Sequence, residues 1–294
     1  MSLIYNATFD SGTRVLSLLD KAGNVISSCE VPSKELVDDI TKPLTFKATQ
    51  DGSTVTLCKT GTVDGAFQTS RDGGNTWTDY TIDTAITLNT GDEVSFRAKA
   101  DRTEAPSNKN YFYFKMTGEI EAWHNVMSLY RTNDYATYKS MVDYAFYGLF
   151  QRCASLTKAP ELPATTLAKG CYNNMFAYCH SLTKAPELPA TTLVFGCYSN
   201  MFRDCQSLTK APVLPAIILA QNCYSNMFRG CQSLKEVRIS ATTTDTDALF
   251  NWLSGVSATG DFYCKPSATI FPTDSPSGIP ENWTRRDIAD YPQT

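Results

Sequence analysis

The chain has 294 residues, of which 42% are hydrophobic and 19% are charged. That length and apolar content are enough for two or three folded domains, each with its own core. The 26 basic residues are outnumbered by 30 acidic ones, and no basic run is interleaved with aromatic residues, so nucleic acid is not an expected partner. No stretch approaches the roughly 18 consecutive apolar residues of a membrane-spanning helix, and membrane insertion is not expected.

The start of the sequence carries a prediction about location. It lacks the basic region, the apolar region and the small-residue cleavage site of a secretory signal. A secreted bacterial adhesin would have such a signal. We therefore expect either that the chain reaches the outside as part of a particle or that its signal has been removed.

Residues 14–31 predict a β-hairpin with its turn at residues 20–24. One hairpin is too small to be stable alone, so its apolar side chains are expected to pack on another domain, on copies of themselves or on another protein. We assign residues 1–42, which end in a charged segment, as an anchoring and oligomerisation segment. Its anchoring residues are expected to be Val15, Leu16, Leu18, Leu19, Val25 and Ile26.

Residues 43–120 predict a small antiparallel β-sandwich that serves as a spacer. Strand-like runs at 53–58, 85–88, 93–98 and 111–114 alternate with turn signals. Within this part, residues 70–77 match the pattern SxDxGxTW and so resemble the Asp box of sialidases. In that family the box is a structural hairpin tied by its Asp, which implies a structural role for Asp72 and no sialidase activity.

Three copies of a 26-residue unit begin at Cys153, Cys179 and Cys205, and a fourth decays after Cys231. The first two copies agree at 20 of 26 positions. A fixed period of this length predicts a solenoid, in which each coil buries its apolar face against its neighbours. Partial copies at residues 145–153 and 249–256 would extend the array to four or five coils within residues 121–264, and residues 265–294 would form a capping tail.

Each unit predicts one short strand and one helix. The strand would contain Leu156, Ala159 and Leu162, and it is interrupted by prolines. The helix is indicated by apolar residues spaced four apart, which would share one helix face: Leu167, Cys171, Met175 and Cys179. The fold class predicted for the whole chain is therefore mixed and multidomain, with a β-hairpin anchor, a small β-sandwich and a short α/β leucine-rich-repeat solenoid.

Seven of the ten cysteines fall into two columns of the repeat, and they are expected to be buried thiols that behave as small hydrophobes. Their recurring gaps of 18 and 8 residues do not suit zinc, and no metal or cofactor is expected. Disulfides between neighbouring coils remain open. The seven residues are Cys153, Cys171, Cys179, Cys197, Cys205, Cys223 and Cys231.

Outward positions of the predicted strands recur as rows of lysine and glutamate. Such rows predict either a merely solvated face or a polar strip suited to sugars or to a protein partner. Variable residues at the ends of the predicted helices would adjust specificity, and Phe195 is expected to be exposed. The candidate binding residues are Lys158, Glu161, Lys184, Glu187, Phe195, Arg203, Lys210 and Arg229.

No catalytic arrangement is visible in the sequence. Glu161 and Glu187 are equivalent residues of two repeats and not a pair of carboxylates across a cleft. There is no phosphate-binding glycine loop, no GxSxG elbow and no HExxH helix. His124 is expected to lie beside Trp123. We therefore expect a protein that is not an enzyme.

The runs SLTKAPELPATTL and CYxNMF resemble BspA-type leucine-rich repeats, which occur in surface proteins of gut Bacteroidetes and of their tailed, crAss-like phages. The resemblance covers about residues 111–283 and implies a recognition scaffold with no fixed ligand. The N-terminal block resembles, more loosely, the anchoring ends of phage fibre and decoration proteins.

These resemblances imply a homo-oligomeric virion surface protein, either a head fibre or a capsid decoration protein. Its N-terminal region would attach to a capsid or other virion protein, and its repeats would bind a host surface glycan or protein. A single repeat face would bind weakly, and many copies would compensate through avidity. The alternative is a bacterial cell-surface adhesin.

Overall fold

The computed structural model describes residues 6–10, 15–19, 25–30, 39–273 and 275–291. The chain divides into two compact units, one made of Met1–Asp39 with Pro292–Thr294 and the other of Ile40–Tyr291. Regular structure is almost entirely β-strand, arranged in several open sheets. Within the described ranges there are two short 3₁₀ helices, Val126–Leu129 and Ile288–Asp290, and no α-helix.

The smaller unit contains a three-stranded antiparallel sheet. Strands β2 (Val15–Leu19) and β3 (Val25–Glu30) pair antiparallel and confirm the predicted hairpin. Strand β1 (Asn6–Asp10) adds to β2, which the sequence did not predict because asparagine and aspartate are uncommon in strands. The predicted anchoring residues lie on β2 and β3. Their side chains, and residues 33–38 of the charged segment, fall outside the described part.

The β-rich part of the larger unit forms two sheets that pack through phenylalanine rings. Phe46 and Phe96 of one sheet contact Phe114 of the other at ring-centroid distances of 4.7 and 5.3 Å. The sheets have the orders β10-β5-β8 and β12-β11-β4-β9-β6-β7. The strands are β4 (Thr45–Ala48), β5 (Ser53–Lys59), β6 (Phe67–Ser70), β7 (Thr78–Tyr80), β8 (Ile86–Leu88), β9 (Glu93–Ala98), β10 (Phe112–Thr117), β11 (Ile120–Trp123) and β12 (Leu156–Lys158).

The strand runs predicted in this part are all present, as β5, β8, β9 and β10. Their burial alternates as the pleat requires: in β5, Val55 and Leu57 are buried while Thr54 and Thr56 are half-buried. The hairpin between β6 and β7 is the segment that resembles an Asp box.

A strand was expected at this position in every repeat, but among the three full units only the first has one there, β12, which lies parallel to β11. The decayed fourth unit has one at Glu236–Arg238. In the next two repeats the equivalent segments carry isolated bridges at most, such as Lys210 with Glu236. The proline pair of each full unit keeps any strand short, because Pro186 and Pro189 have no backbone N–H and a regular ladder cannot run through them. The first unit has the same pair at Pro160 and Pro163, and its strand β12 ends before them, paired with β11.

The predicted helix is wrong, and a ribbon of overlapping turns takes its place. This turn ribbon comprises residues 168–179, with equivalents at 194–205 and 220–231. Alternate residues use their N–H groups differently: Tyr172 N donates to Cys197 O of the next repeat at 2.9 Å, whereas Asn173 N donates to Gly170 O at 3.1 Å. Backbone donors are thus satisfied partly within a repeat and partly by its neighbour.

Every fourth residue of the turn ribbon adopts the left-handed backbone conformation. Gly170, Asn174 and Tyr178 have φ of 59°, 58° and 65°, and single left-handed residues of this kind end a right-handed helix. Because the conformation recurs every four residues, the same side of the ribbon faces inward every four residues. The apolar residues spaced four apart, which predicted a helix, therefore result from the four-residue recurrence of the turn ribbon.

Side chains of equivalent positions stack along the array. Phe150, Phe176, Phe202 and Phe228 form one stack with centroid spacings of 5.3, 5.6 and 5.8 Å and nearly parallel rings. A second stack runs through Tyr172, Tyr198 and Tyr224. The predicted burial of the cysteine columns is confirmed, and all seven residues are free, fully buried thiols. In one column the thiol also donates to a backbone carbonyl, as Cys205 Sγ does to Phe176 O at 3.1 Å. This column consists of Cys153, Cys179, Cys205 and Cys231.

Both ends of the array are covered. At one end Phe114 of β10 stacks on Phe150 and accepts the thiol hydrogen bond of Cys153. At the other end Trp252 donates from Nε1 to Gly278 O and packs on Phe271. The remaining strands, all paired in parallel, are β13 (Ile218–Leu219), β14 (Glu236–Arg238), β15 (Thr243–Thr244), β16 (Gly260–Cys264) and β17 (Trp283–Asp287).

The predicted division of the larger unit at residues 120 and 264 stays a prediction. The six-stranded sheet runs across the first of these boundaries, because β11 pairs with β4 on one side and with β12 on the other. The first repeat therefore continues the sheet of the β-rich part.

Candidate recognition surface

The row formed by Lys158, Lys184 and Lys210 is not uniform. Lys184 is exposed. Lys158 is half-buried, with Nζ 2.7 Å from the ring centroid of Trp123. The Trp123 indole in turn donates to Glu121 at 2.9 Å. At this end of the row the lysine thus contacts β11, the neighbouring strand of the same sheet.

Lys210, at the other end of the row, belongs to a local charge cluster. Its Nζ lies 2.7 Å from Glu236 Oε1, which also accepts from the Tyr291 hydroxyl at 2.8 Å. Partial burial lowers the pKa of Lys210, but hydrogen bonds to Glu236 and Tyr291 outweigh it and raise the pKa overall. The lysine is held cationic and oriented toward the C-terminal segment.

The two glutamates of the candidate set lie in different surroundings. Glu187 is exposed, and Glu161 is half-buried, with its backbone N–H donating to His124 O at 2.8 Å. His124 lies beside Trp123 as expected, at a ring-centroid distance of 6.2 Å. The glutamates therefore do not form a matched pair along the row.

The other candidates, Phe195, Arg203 and Arg229, lie on the turn ribbon. Phe195 is 45% exposed, which confirms the expectation for this side chain. Arg229 is exposed, while Arg203 is half-buried beside Asp204 and lies 5.7 Å from the ring of Tyr178. Phe195 contacts the first repeat through Lys169, whose Nζ is 5.4 Å from the Phe195 ring.

A continuous aromatic strip leads from Phe195 back to β10, and the sequence did not predict it as a unit. From Lys169 the contacts pass to Tyr144 at 5.9 Å, from Tyr144 to Tyr147 at 6.1 Å and from Tyr147 to Tyr111 at 4.9 Å. The four tyrosines are half-buried and Lys169 is exposed. We call this set the aromatic strip: Tyr111, Tyr113, Tyr144, Tyr147, Lys169 and Phe195.

Two glycines seat the tyrosines of the strip against the turn ribbon. A Cβ at Gly170 would lie 2.7 Å from Cε1 of Tyr144, and one at Gly148 would lie 3.2 Å from Cε2 of Tyr111. Both glycines also have positive φ. The rings can lie close to the backbone because no side chain stands beneath them.

Charge along the strip is mostly positive. Lys115 Nζ lies 5.7 Å from the Tyr113 ring, and Lys169 stands between Tyr144 and Phe195. Burial raises the pKa of Tyr111, and Arg152 is close enough to oppose part of that rise. Of the nearby carboxylates, Asp143 accepts the backbone N–H of Lys169 at 3.0 Å, and Asp83 interacts with Lys115 and Cys58.

A separate exposed apolar feature marks the third repeat. Ile217 and Ile218 are 52% and 66% exposed, whereas the equivalent residues of the first two repeats are threonines. They line a cleft of about 670 Å³ together with Thr243 and Thr244. In the sequence this feature corresponds to the change from PATTL in the first two units to PAIIL in the third.

Asp72 stabilises the turn between β6 and β7 through hydrogen bonds to its side chain. Asp72 accepts from Thr76 N at 2.9 Å, from Thr76 Oγ1 at 2.6 Å and from Ser70 Oγ at 2.6 Å. Hydrogen bonds from Ser70 and Thr76 hold the pKa of the Asp72 carboxyl well below its usual range. Both carboxylate oxygens are used by the turn, as expected for a structural Asp box.

In the described part of the chain no group of three or more histidine, cysteine, aspartate or glutamate side chains is placed to hold a metal ion. Across the same residues, no helix has the length and apolar character needed to cross a membrane. Comparison of the chain with protein-family models, with curated proteins and with solved structures gives no match in any of the three.

Proposed function

We propose that this chain is a non-enzymatic recognition protein, displayed on a virion as a head fibre or capsid decoration protein, whose leucine-rich-repeat solenoid binds a glycan or protein of the host surface. The observation that carries the proposal is the contrast between the inside and the outside of the repeats. Inside, Cys, Tyr, Met and Phe recur unchanged and are buried.

Outside, side chains change from one repeat to the next at fixed exposed positions. Lys169, Phe195 and Gln221 are equivalent and all exposed, as are Ala154, His180 and Gln206. A constant interior with variation at these exposed positions supports a scaffold that presents binding groups. A catalytic site would require a few convergent groups in one pocket.

The attachment role of the N-terminal region is supported by its small open sheet. Among the described residues, this sheet has the order β1-β2-β3, so β1 and β3 are its edge strands. Such edges suit contact with a second copy or with a capsid protein by strand addition. The sandwich of residues 43–120 would carry the first coil on its extended sheet. Placement on a virion is proposed from the sequence resemblance.

The recognition role can be tested by measuring the adhesion of beads that carry many copies of the protein. Beads that carry many copies of the protein should adhere to gut Bacteroidetes cells, and a single soluble copy should adhere weakly, because linked sites gain effective concentration. An antibody against residues 40–291 should also label intact phage particles. Beads that do not adhere would contradict the recognition role, and unlabelled particles together with labelled bacterial surfaces would favour the adhesin alternative.

A further inference from the structure

We propose that the aromatic strip is a binding site for an acidic polysaccharide. The inference rests on the proposed recognition function, and it names the ligand class and moves the site from the lysine row to the strip. Three observations carry it: the line of half-exposed aromatic rings, the polar groups at the rims of those rings, and the cations that flank them.

The ring faces match the shape of a sugar chain. Tyr113, Tyr111, Tyr147 and Tyr144 follow one another at centroid distances of 4.9 to 6.1 Å, and Phe195 continues the line beyond Lys169. Neighbouring tyrosines meet at interplanar angles of 55° to 70°, so the strip presents ring faces and ring edges in turn, and each tyrosine adds a hydroxyl at its rim. A pyranose ring has the complementary form, with an apolar C–H face and hydroxyl groups around its edge.

Polar groups stand where such hydroxyl groups would reach. Asn174 Nδ2 lies 3.5 Å from the Tyr147 hydroxyl and 2.5 Å from Asn173 Oδ1. Both asparagines are half-buried on the first turn ribbon. Amide groups both donate and accept, so they can pair with sugar hydroxyl groups in either direction.

The cations select an acidic polymer over a neutral one. Lys169 lies between two ring faces, where it can meet a carboxylate carried by a stacked sugar, and Lys115 and Arg152 flank the tyrosine end. The chain as a whole has a net charge of −4. A locally cationic strip on an acidic protein therefore directs an anionic ligand to this surface.

The test uses affinity electrophoresis in native gels at low salt. The gels contain polygalacturonate, hyaluronate or polysialic acid, and a matched gel contains fully methyl-esterified polygalacturonate, which keeps the rings and removes the charge. We expect at least one acidic polymer to retard the protein, and the esterified polymer to retard it much less.

Variants taken from the chain's own repeats localise the site. In K169Q/F195Q both positions carry the residue found at Gln221, and the double change should weaken retardation about tenfold. The control I217T/I218T restores the threonines of the other repeats, and it should bind like the unaltered protein. K184Q, in the lysine row, should also leave binding unchanged. Equal melting temperatures will show that all variants are folded.

Several results would overturn the proposal. These are no retardation by any of the three acidic polymers, equal retardation by the esterified polymer, or loss of binding in K184Q with none in K169Q/F195Q. Tighter binding of a single-stranded DNA oligonucleotide would make the strip a nucleic-acid surface instead. If the gels succeed while displayed beads fail to adhere to cells, the ligand class stands and the proposed function fails.

Discussion

At the scale of single residues, the two buried tyrosine hydroxyls of the second aromatic stack are unusual. Among the described residues, neither Tyr172 Oη nor Tyr198 Oη has a hydrogen-bond partner. Burial raises the pKa of both phenols well above the ordinary value. A buried hydroxyl without a partner destabilises a fold, whereas the stacked ring stabilises it.

Replacing Tyr198 with Phe should therefore raise the free energy of unfolding by about 1 kcal/mol, because the ring stays and the desolvated hydroxyl is removed. The matched control is Tyr130→Phe. The Tyr130 hydroxyl donates to Ala145 O at 2.8 Å, so its loss should destabilise by about 1 kcal/mol. Urea unfolding of both variants measures the difference, and destabilisation by Tyr198→Phe would show that this hydroxyl has a partner in solution.

At the scale of structural elements, a comparison of Gly170 with Gly196 separates the effect of the Tyr144 ring from the effect of the backbone conformation. They occupy the same repeat position and share a φ of +59°. A Cβ at Gly196 would meet only Asn173 at 3.9 Å, whereas one at Gly170 would overlap Tyr144. The two sites differ in the ring and not in the backbone.

Gly196→Ala should cost about 1–2 kcal/mol, from the left-handed backbone alone. Gly170→Ala should cost more, because the Tyr144 ring must move. In a Tyr144→Ala background the extra cost should vanish, and a double-mutant cycle in urea measures it. An extra cost that persists without the ring would mean that the backbone of the first repeat, and not Tyr144, resists the side chain.

The cysteine columns make the array sensitive to alkali. Burial raises the pKa of Cys197 to about 12, and burial likewise raises the pKa values of Cys171, Cys179 and Cys205. In the unfolded chain these thiols ionise near pH 8.5. The unfolded state therefore releases protons that the folded state keeps, so stability is full below about pH 8.5 and falls as pH rises further.

Each such thiol lowers stability by about 1.4 kcal/mol per pH unit above its unfolded pKa. Because the columns contain seven thiols, the repeats should unfold by about pH 10 to 11. Melting followed by circular dichroism from pH 7 to 11 tests this expectation. A variant with Cys171 and Cys197 replaced by Ala should show a shallower decline, and an unchanged melting temperature up to pH 10.5 would contradict the argument.

The sequence predicted some elements for the right reason and one for the wrong reason. The hairpin of β2 and β3 followed from strand alternation around a turn, and the 26-residue period followed from near-identity of the units. The helix failed because apolar spacing of four fits both a helix and the turn ribbon. Glycine or asparagine recurring every four residues, as at Gly170 and Asn174, was the signal that separates the two.

The candidate site was only partly accessible to sequence reasoning. Exposure of Phe195 followed from its variability between repeats. The tyrosines of the aromatic strip were missed because Tyr111, directly before β10, meets Tyr147 only after the β-rich part and the array have packed together. Likewise, Lys210 contacts Tyr291 of the C-terminal segment, and no local sequence pattern predicts the path of that segment.

At the scale of the whole molecule, the two compact units suggest where the chain can be cut. Residues 40–42 belong to the larger unit, since Asn125 Nδ2 donates to Ile40 O at 3.0 Å and Asn125 N donates to Lys42 O at 3.3 Å. Asn125 is fully buried and also caps the 3₁₀ helix Val126–Leu129. A truncation that removes residues 40–42 would take away the acceptors of the Asn125 backbone N–H and of one side-chain N–H, while Nδ2 keeps its bond to Tyr135 O.

A form that starts at Ile40 should fold as a monomer and lose assembly and docking, whereas one that starts at Pro43 should melt at a lower temperature. Light scattering and thermal melting of both forms test this expectation. A native oligomer retained by the form that starts at Ile40 would show that the smaller unit is not responsible for assembly.

The contacts between neighbouring repeats depend only on equivalent positions. Tyr172 N meets Cys197 O as Tyr198 N meets Cys223 O, at 2.9 and 3.0 Å. An additional 26-residue unit could therefore be inserted between two others without altering any interior contact. Near-identical units also provide long matched stretches for unequal recombination. Such recombination would change the array in whole units, each of which would lengthen it by the 5.3 to 5.8 Å between stacked rings.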